Sequence, residues 1–231
     1  MGFVDICFNG ILASNFGVYI KNKTIPAAKE IVQELAVPGR DGSLFVRKRT
    51  YESTTIKVDF NYTCEENAGE IWRAVKQWLL GKNGELYFSD DTNIFYQISN
   101  VTVSELHKQG NYIYDFTVIF TTKDGLSYLH SGKKEYEITE LFNPGIFSKP
   151  IWKITGEGVC TIAVNGNTVI AHVLGDIIID SEKMIAYRSD GLSQNTAIKG
   201  EYEDLFLESG ENIVTVTDGF ECKAIPNWRC L

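Results

Sequence analysis

Along residues 51–62 (YESTTIKVDFNY), Thr54, Ile56, Val58 and Phe60 alternate with polar side chains. A period of two over that length predicts a half-buried strand. A different rhythm follows. Ile71, Trp72, Val75, Trp78 and Leu79 recur at the spacing of one helical face, which predicts an amphipathic helix over about Ala68–Leu80. Thr63 with Glu66, or Asn67 with Glu70, offers a capping box at its start, and Gly81 is placed to end it. The two tryptophans on the stripe are read as core packing against a neighbouring sheet rather than as a ligand cleft.

Alternation returns in Glu85–Ser89, Phe95–Val103 and Tyr112–Thr121. Near the N-terminus, Phe3 to Val18 reads as a short strand with a turn at Asn9-Gly10. Residues 25–37 fit either a helix, through Ile31 and Leu35, or an extended chain, through Ile31, Gln33, Leu35 and Val37. They lead into VPGRDGSL at 37–44, a doubled reversal. Pro38 presets φ, Gly39 supplies a positive φ, and Asp41-Gly42 makes a second tight turn into the next strand. The first half is therefore several strands with one covering helix, an α+β arrangement.

Residues 123–143 are more polar and are the linker candidate. Beyond Asn143-Pro144-Gly145, short strands come at regular intervals: Ile151–Thr155, Val159–Val164, Thr168–Val173, Ile177–Asp180, Met184–Arg188, Leu205–Leu207 and Asn212–Thr217. Asn165-Gly166 between two apolar runs predicts a type I′ hairpin. Seven such strands without a helix predict a β-sandwich.

Composition supports two packed domains. The chain has 231 residues, 44% of them hydrophobic and 12% aromatic. Residues 1–131 carry 13 Lys and Arg against 15 Asp and Glu, a balance of −2; residues 132–231 carry 9 against 15, a balance of −6. A net charge of −8 disfavours binding to nucleic-acid phosphates. No apolar run is long enough to span a bilayer, and MGFVDICFNG has neither the basic start of a secretory signal nor the Ser or Thr of a myristoylation site. The expectation is a soluble chain made in a cytoplasm. Five scattered cysteines with no CxxC read as reduced, buried thiols.

Candidate chemistry is sparse. The histidines, His107, His130 and His172, stand apart, and the sequence has no HExxH, GxSxG, P-loop or GxGxxG. Glu157, Asp176, Asp180, Glu201, Glu203 and Asp204 could supply paired carboxylates for glycoside hydrolysis, but they read as a solvated acidic rim. Asp176, Asp180 and Glu182 could ligate calcium, with exposed strand ends the simpler reading. Trp152, Tyr187 and Tyr202 are candidates for stacking on sugars, although Trp152 within IWKIT is equally a core residue. No catalytic residue, cofactor or metal is assigned.

The order of these motifs resembles the siphophage distal tail protein family. VPGRDGSL and the tryptophan-bearing helix are followed by Asn143-Pro144-Gly145, Gly156-Glu157-Gly158, Asn165-Gly166, Ile179-Asp180-Ser181-Glu182, Gly210-Glu211-Asn212 and the closing Pro226-Asn227-Trp228-Arg229. The resemblance covers essentially the whole chain. It implies a mainly β protein: a tube-like α+β domain over residues 1–130, with residues 25–37 extended in a hairpin around the PGRDG turn, and a galectin-like β-sandwich over 140–220. Residues 221–231 would pack back on the first domain. It further implies a non-enzymatic virion tail-tip subunit, assembled in the host cytoplasm. That subunit would form a homo-hexameric ring between the tail-tube protein and the hub, with receptor-binding or side-fibre proteins attached and DNA passing through unbound. Pro38, Gly39, Arg40, Asp41 and Gly42, with Trp228 and Arg229, are the implied inter-subunit or inter-domain contacts. A sugar-binding module of an adsorption device and a subunit of a phage-tail-like bacteriocin are the alternatives.

Overall fold

In the computed structural model, which describes residues 4–36, 38–39 and 41–231, the chain divides after Ser127 into two units. The first is built on a sheet whose strands are β1 (Ile6–Phe8), β2 (Ile11–Leu12), β3 (Tyr19–Thr24), β6 (Thr55–Thr63), β7 (Gly84–Phe88), β8 (Asp91–Val103) and β10 (Ile113–Leu129), in the order β2-β1-β7-β8-β10-β6-β3. β9 (His107–Gln109) adds to β10. Among the described residues β4 (Glu30–Ala36) and β5 (Ser43–Tyr51) pair only with each other, so the extended reading of 25–37 holds for its second part.

The period-two pattern over 55–63 does what it predicts. Ile56, Val58, Phe60 and Tyr62 are buried while Lys57 and Asn61 point away from the core. Facing them across the β6–β10 register are Phe116, Val118 and Phe120, and the Phe60 and Phe116 rings stack at 5.2 Å. α1 (Ala68–Leu79) lays Val75, Trp78 and Leu79 into this core. Each fully buried side chain of that size contributes about 1.5–3 kcal/mol. Trp78 also donates its indole N–H to the Phe8 carbonyl at 3.2 Å, so both tryptophans of the stripe serve packing, Trp72 edge-on to Phe116. The capping box is absent. Asn67 begins the helix with φ 62° and makes no side-chain cap bond; its carbonyl instead accepts from the Glu70 N–H at 2.8 Å. Gly81, at φ 66°, ends the helix as expected.

In the second unit, β13 (Ile151–Val164) and β14 (Asn167–Asp180) form a 14-residue antiparallel ribbon joined at Asn165-Gly166, whose φ values of 52° and 92° suit a primed hairpin turn. β11 (Tyr136–Glu137), β15 (Ile185–Tyr187), β16 (Ile198–Lys199), β18 (Val214–Val216) and β19 (Glu221–Ile225) complete the sheet, in the order β11-β19-β13-β14-β15 with β16 on β14 and β18 on β13. β12 (Phe142–Asn143) and β17 (Gly210–Glu211) make a separate small ribbon, and β20 (Arg229–Cys230) closes the chain. Trp152, Ile154, Cys160, Ile162, Val169, Val173 and Trp228 are among the residues filling the core of this unit.

Three sequence expectations are corrected. The linker over 123–143 begins inside a strand, because β10 runs on to Leu129. Leu205–Leu207 is not a strand; a single helical turn, Tyr202–Leu205, leads into one bridge between Leu207 and Ser148. The four strands expected over 151–180 are two, because the glycine steps bend the ribbon without breaking it. Gly156 pairs with Gly175, and at φ 152° it lets the Phe220 ring lie on the backbone. A Cβ there would sit 2.3 Å from Phe220 Cδ1. Gly156→Ala is therefore expected to cost about 1–3 kcal/mol, through strained φ and displacement of Phe220. Chemical denaturation checks it, with Gly166→Asn, at an unobstructed turn glycine, as a milder comparison.

Residues 221–231 belong to the second unit. β19 pairs with β13 and β11, Trp228 is 2% exposed in the core of that unit, and the Leu129 N–H donates to the Trp228 carbonyl at 3.0 Å. Arg229 is also buried. Its Nε and Nη2 donate to the Phe147 carbonyl at 3.1 and 2.9 Å, with the guanidinium 4.3 Å from the Phe147 ring centroid. A buried cation and a buried indole with these partners fasten the C-terminus where it is.

Candidate functional site

The β4–β5 hairpin exposes a run of large apolar side chains. Leu35 opposes Leu44 and Gln33 opposes Val46 on one face; Glu34 opposes Phe45 and Val32 opposes Arg47 on the other. Its base is fixed by the Lys29–Glu52 and Arg47–Glu30 ion pairs at 2.8 and 2.9 Å and by the Glu52 N–H on the Lys29 carbonyl. Beyond that base the ribbon joins neither hydrophobic core. Ile31, Val32, Leu35 and Leu44 are each about 40% exposed, and Phe45 is 62% exposed. Two strands alone are marginally stable in water, and a cluster of exposed large apolar side chains marks an interaction surface.

The turn at its tip carries the candidate contacts Pro38, Gly39, Asp41 and Gly42, all exposed, with Gly39 at φ 78° and Gly42 at φ 80°. Arg40 lies outside the described residues. The structure thus gathers four of the seven sequence-designated contacts at one tip. Trp228 and Arg229 lie apart from it, buried in the second unit. The signal that finds the rest of the hairpin is the alternation of Ile31, Gln33 and Leu35, which sequence reasoning used for secondary structure only.

The sugar-stacking set does not survive as a set. Trp152 is fully buried and donates its indole N–H to the Leu205 carbonyl at 3.2 Å, so it has no face to offer a ligand. Tyr187 and Tyr202 are half-buried, and burial raises the Tyr202 pKa. The calcium set is likewise committed elsewhere. Asp180 accepts the N–H groups of Glu182 and Lys183 on one oxygen and the Lys183 ammonium, at 2.9 Å, on the other. Asp176 accepts the Ser189 N–H at 2.6 Å, which is the main cause of its lowered pKa. Among the described residues no cluster of three His, Cys, Asp or Glu is arranged to hold a metal.

A cleft of about 390 Å³ on the first unit holds Asp59, Asp115, Lys21 and His107. The Thr117 hydroxyl donates to Asp59 at 2.6 Å, and this bond, outweighing partial burial, holds that carboxyl below the usual carboxylate range. Lys57 lies 3.6 Å from Asp59 and Lys21 lies 3.2 Å from Asp115. Each acid thus has its own lysine, and the cleft reads as a balanced polar sheet face rather than an acid–base pair. No helix among the described residues is long and apolar enough to cross a membrane.

No protein-family model matches this sequence, and no curated protein does. Among solved structures, the chain is similar to the crystal structure of the Dit protein (gp 19.1) of phage SPP1. That protein is described as a paradigm of the hub adsorption apparatus in phages infecting Gram-positive bacteria. The TM-score is 0.72 at 13% sequence identity, covering 96% of this chain and 98% of the other. The two share a fold over their whole lengths, and that fold is mainly β.

Proposed function

We propose that this chain is a structural, non-enzymatic subunit of a phage tail tip: a distal tail protein whose first unit closes, six copies together, into a ring. The reading rests on one observation above others, the end-to-end sharing of the fold with a hub protein of a phage adsorption apparatus. The β4–β5 hairpin supports it independently. An exposed apolar ribbon is a costly thing to leave in water, and a head-to-tail contact that closes into a ring covers one such ribbon per subunit. The ring joins the tail-tube protein to the hub. The second unit, a galectin-like sandwich on this reading, anchors receptor-binding or side-fibre proteins. An acidic chain suits a lumen through which DNA passes without sticking.

Electron microscopy of the concentrated full chain, and of tails that contain it, tests this. Six-fold rings are the expected class averages. A monomer in isolation together with tails lacking a six-fold ring of this chain overturns the reading.

A further inference from the structure

We infer that the second unit carries a docking surface for a basic segment of another tail protein, centred on Phe142 and Ile213. Phe142 is 60% exposed and Ile213 is 74% exposed, the latter among the most exposed large apolar side chains of the chain. Phe142 stands opposite Glu211 in the β12–β17 ribbon, and Ile213 follows two residues beyond Glu211, so the two apolar side chains flank one carboxylate.

Their backbone is not loose. Asn212, between Glu211 and Ile213, is 9% exposed and donates its amide to the carbonyls of Glu208 and Gly210, both at 3.0 Å. Its oxygen accepts from the Asn165 amide and the Glu208 N–H, both at 2.8 Å. The Ile213 N–H donates to the Asn165 side chain at 2.9 Å, and the Ile213 carbonyl accepts the Asn165 N–H at 2.9 Å. A further bond runs from the Asn212 N–H to the Leu141 carbonyl. These bonds bolt the small ribbon to the tip of the β13–β14 hairpin. A platform so pre-organised loses little freedom on binding, while it holds two large apolar groups in water.

Charge selects the occupant. Glu140, Glu208 and Glu211 adjoin the two apolar residues along the chain, and the basic residue that follows the first segment, Lys149, sets its ammonium over the Phe206 ring. An apolar centre with three carboxylates beside it matches a segment with one or two apolar anchors flanked by Lys or Arg. The same carboxylates repel nucleic acid and anionic lipid surfaces. The inference rests on the tail-tip reading for the kind of partner, not for the surface.

The test pans a random displayed-peptide library on the full chain, followed by titration of the winning peptides. Basic peptides with apolar anchors are expected to be enriched. Their affinity should fall about tenfold or more on Ile213→Ser or Phe142→Ser and should weaken as salt rises. Both residues are exposed, so melting temperatures should not change. Failure to enrich, enrichment of acidic peptides, or winners indifferent to both substitutions overturns the proposal. So does self-association that Ile213→Ser abolishes, since the occupant is then a second copy. Ring formation in Ile213→Ser is expected to be intact. A wild-type chain that forms no ring but binds basic peptides here would fail the ring reading alone.

Discussion

Trp152→Ala is expected to destabilise the second unit by about 3–5 kcal/mol, the usual cost of truncating a large buried aromatic. The indole is fully buried near the start of β13, opposite Ile179 on one side and Ala224 on the other, and its N–H is satisfied by the Leu205 carbonyl. Removing it leaves a cavity between strands that cannot collapse together and strands a buried carbonyl. For a unit spanning Tyr128–Leu231, that loss lowers Tm by roughly 12 °C or more. Scanning calorimetry should show one transition moving while that of the first unit stays. Trp152→Phe, which keeps most of the volume and loses the N–H, should cost less. A Tm unchanged in Trp152→Ala would return this residue to the surface and reopen sugar stacking.

The double variant Leu35→Ser/Leu44→Ser is expected to abolish ring assembly without unfolding the chain. Leu35 and Leu44 oppose each other on the hairpin and contribute to neither core, so the monomer loses little. If both side chains are covered by a neighbouring subunit, each is worth about 1.5–3 kcal/mol, and their joint loss weakens each contact by about two orders of magnitude or more. Sedimentation should then show monomers at concentrations where the unaltered chain forms rings, with Tm nearly constant. Rings that persist in the double variant would remove the hairpin from the interface. Asp41→Ala, at the tip, separates the contributions of turn and ribbon.

Much of the secondary structure was legible because it depends on local rules. The helix with Trp72 and Trp78 follows from its stripe, the strand through Ile56, Val58 and Phe60 from its alternation, and the hairpin at Asn165-Gly166 from the positive φ that both residues tolerate. What misled were signals that turns share with bends. Gly156-Glu157-Gly158 looks like a chain reversal, but Gly175 across the ribbon and the Phe220 ring above it make the same glycines a kink in a continuous strand. The polarity of 123–143 looks like a linker, but strand β10 runs on into it and residues 125–128 are all buried. Of the candidate site, the turn at 38–42 was legible, whereas the exposed ribbon behind it was not. Ile31, Leu35, Leu44 and Phe45 read like core residues, and only their exposure outside both cores reveals them as surface.

By itself, then, the sequence determined the mainly β character, the single amphipathic helix, the principal turns, the acidic balance and, through the order of its motifs, the resemblance to distal tail proteins. These depend on periodicity, backbone preference and charge, which act over a few residues or by simple summation. Tertiary structure alone decided which apolar residues are buried. It put Trp152, Trp228 and Arg229 inside the second unit and left Phe45, Phe142 and Ile213 in water. Burial depends on what packs against a side chain from far along the chain. Leu205 reaching Trp152 and Phe147 reaching Arg229 are contacts across tens of residues, to which no local pattern points.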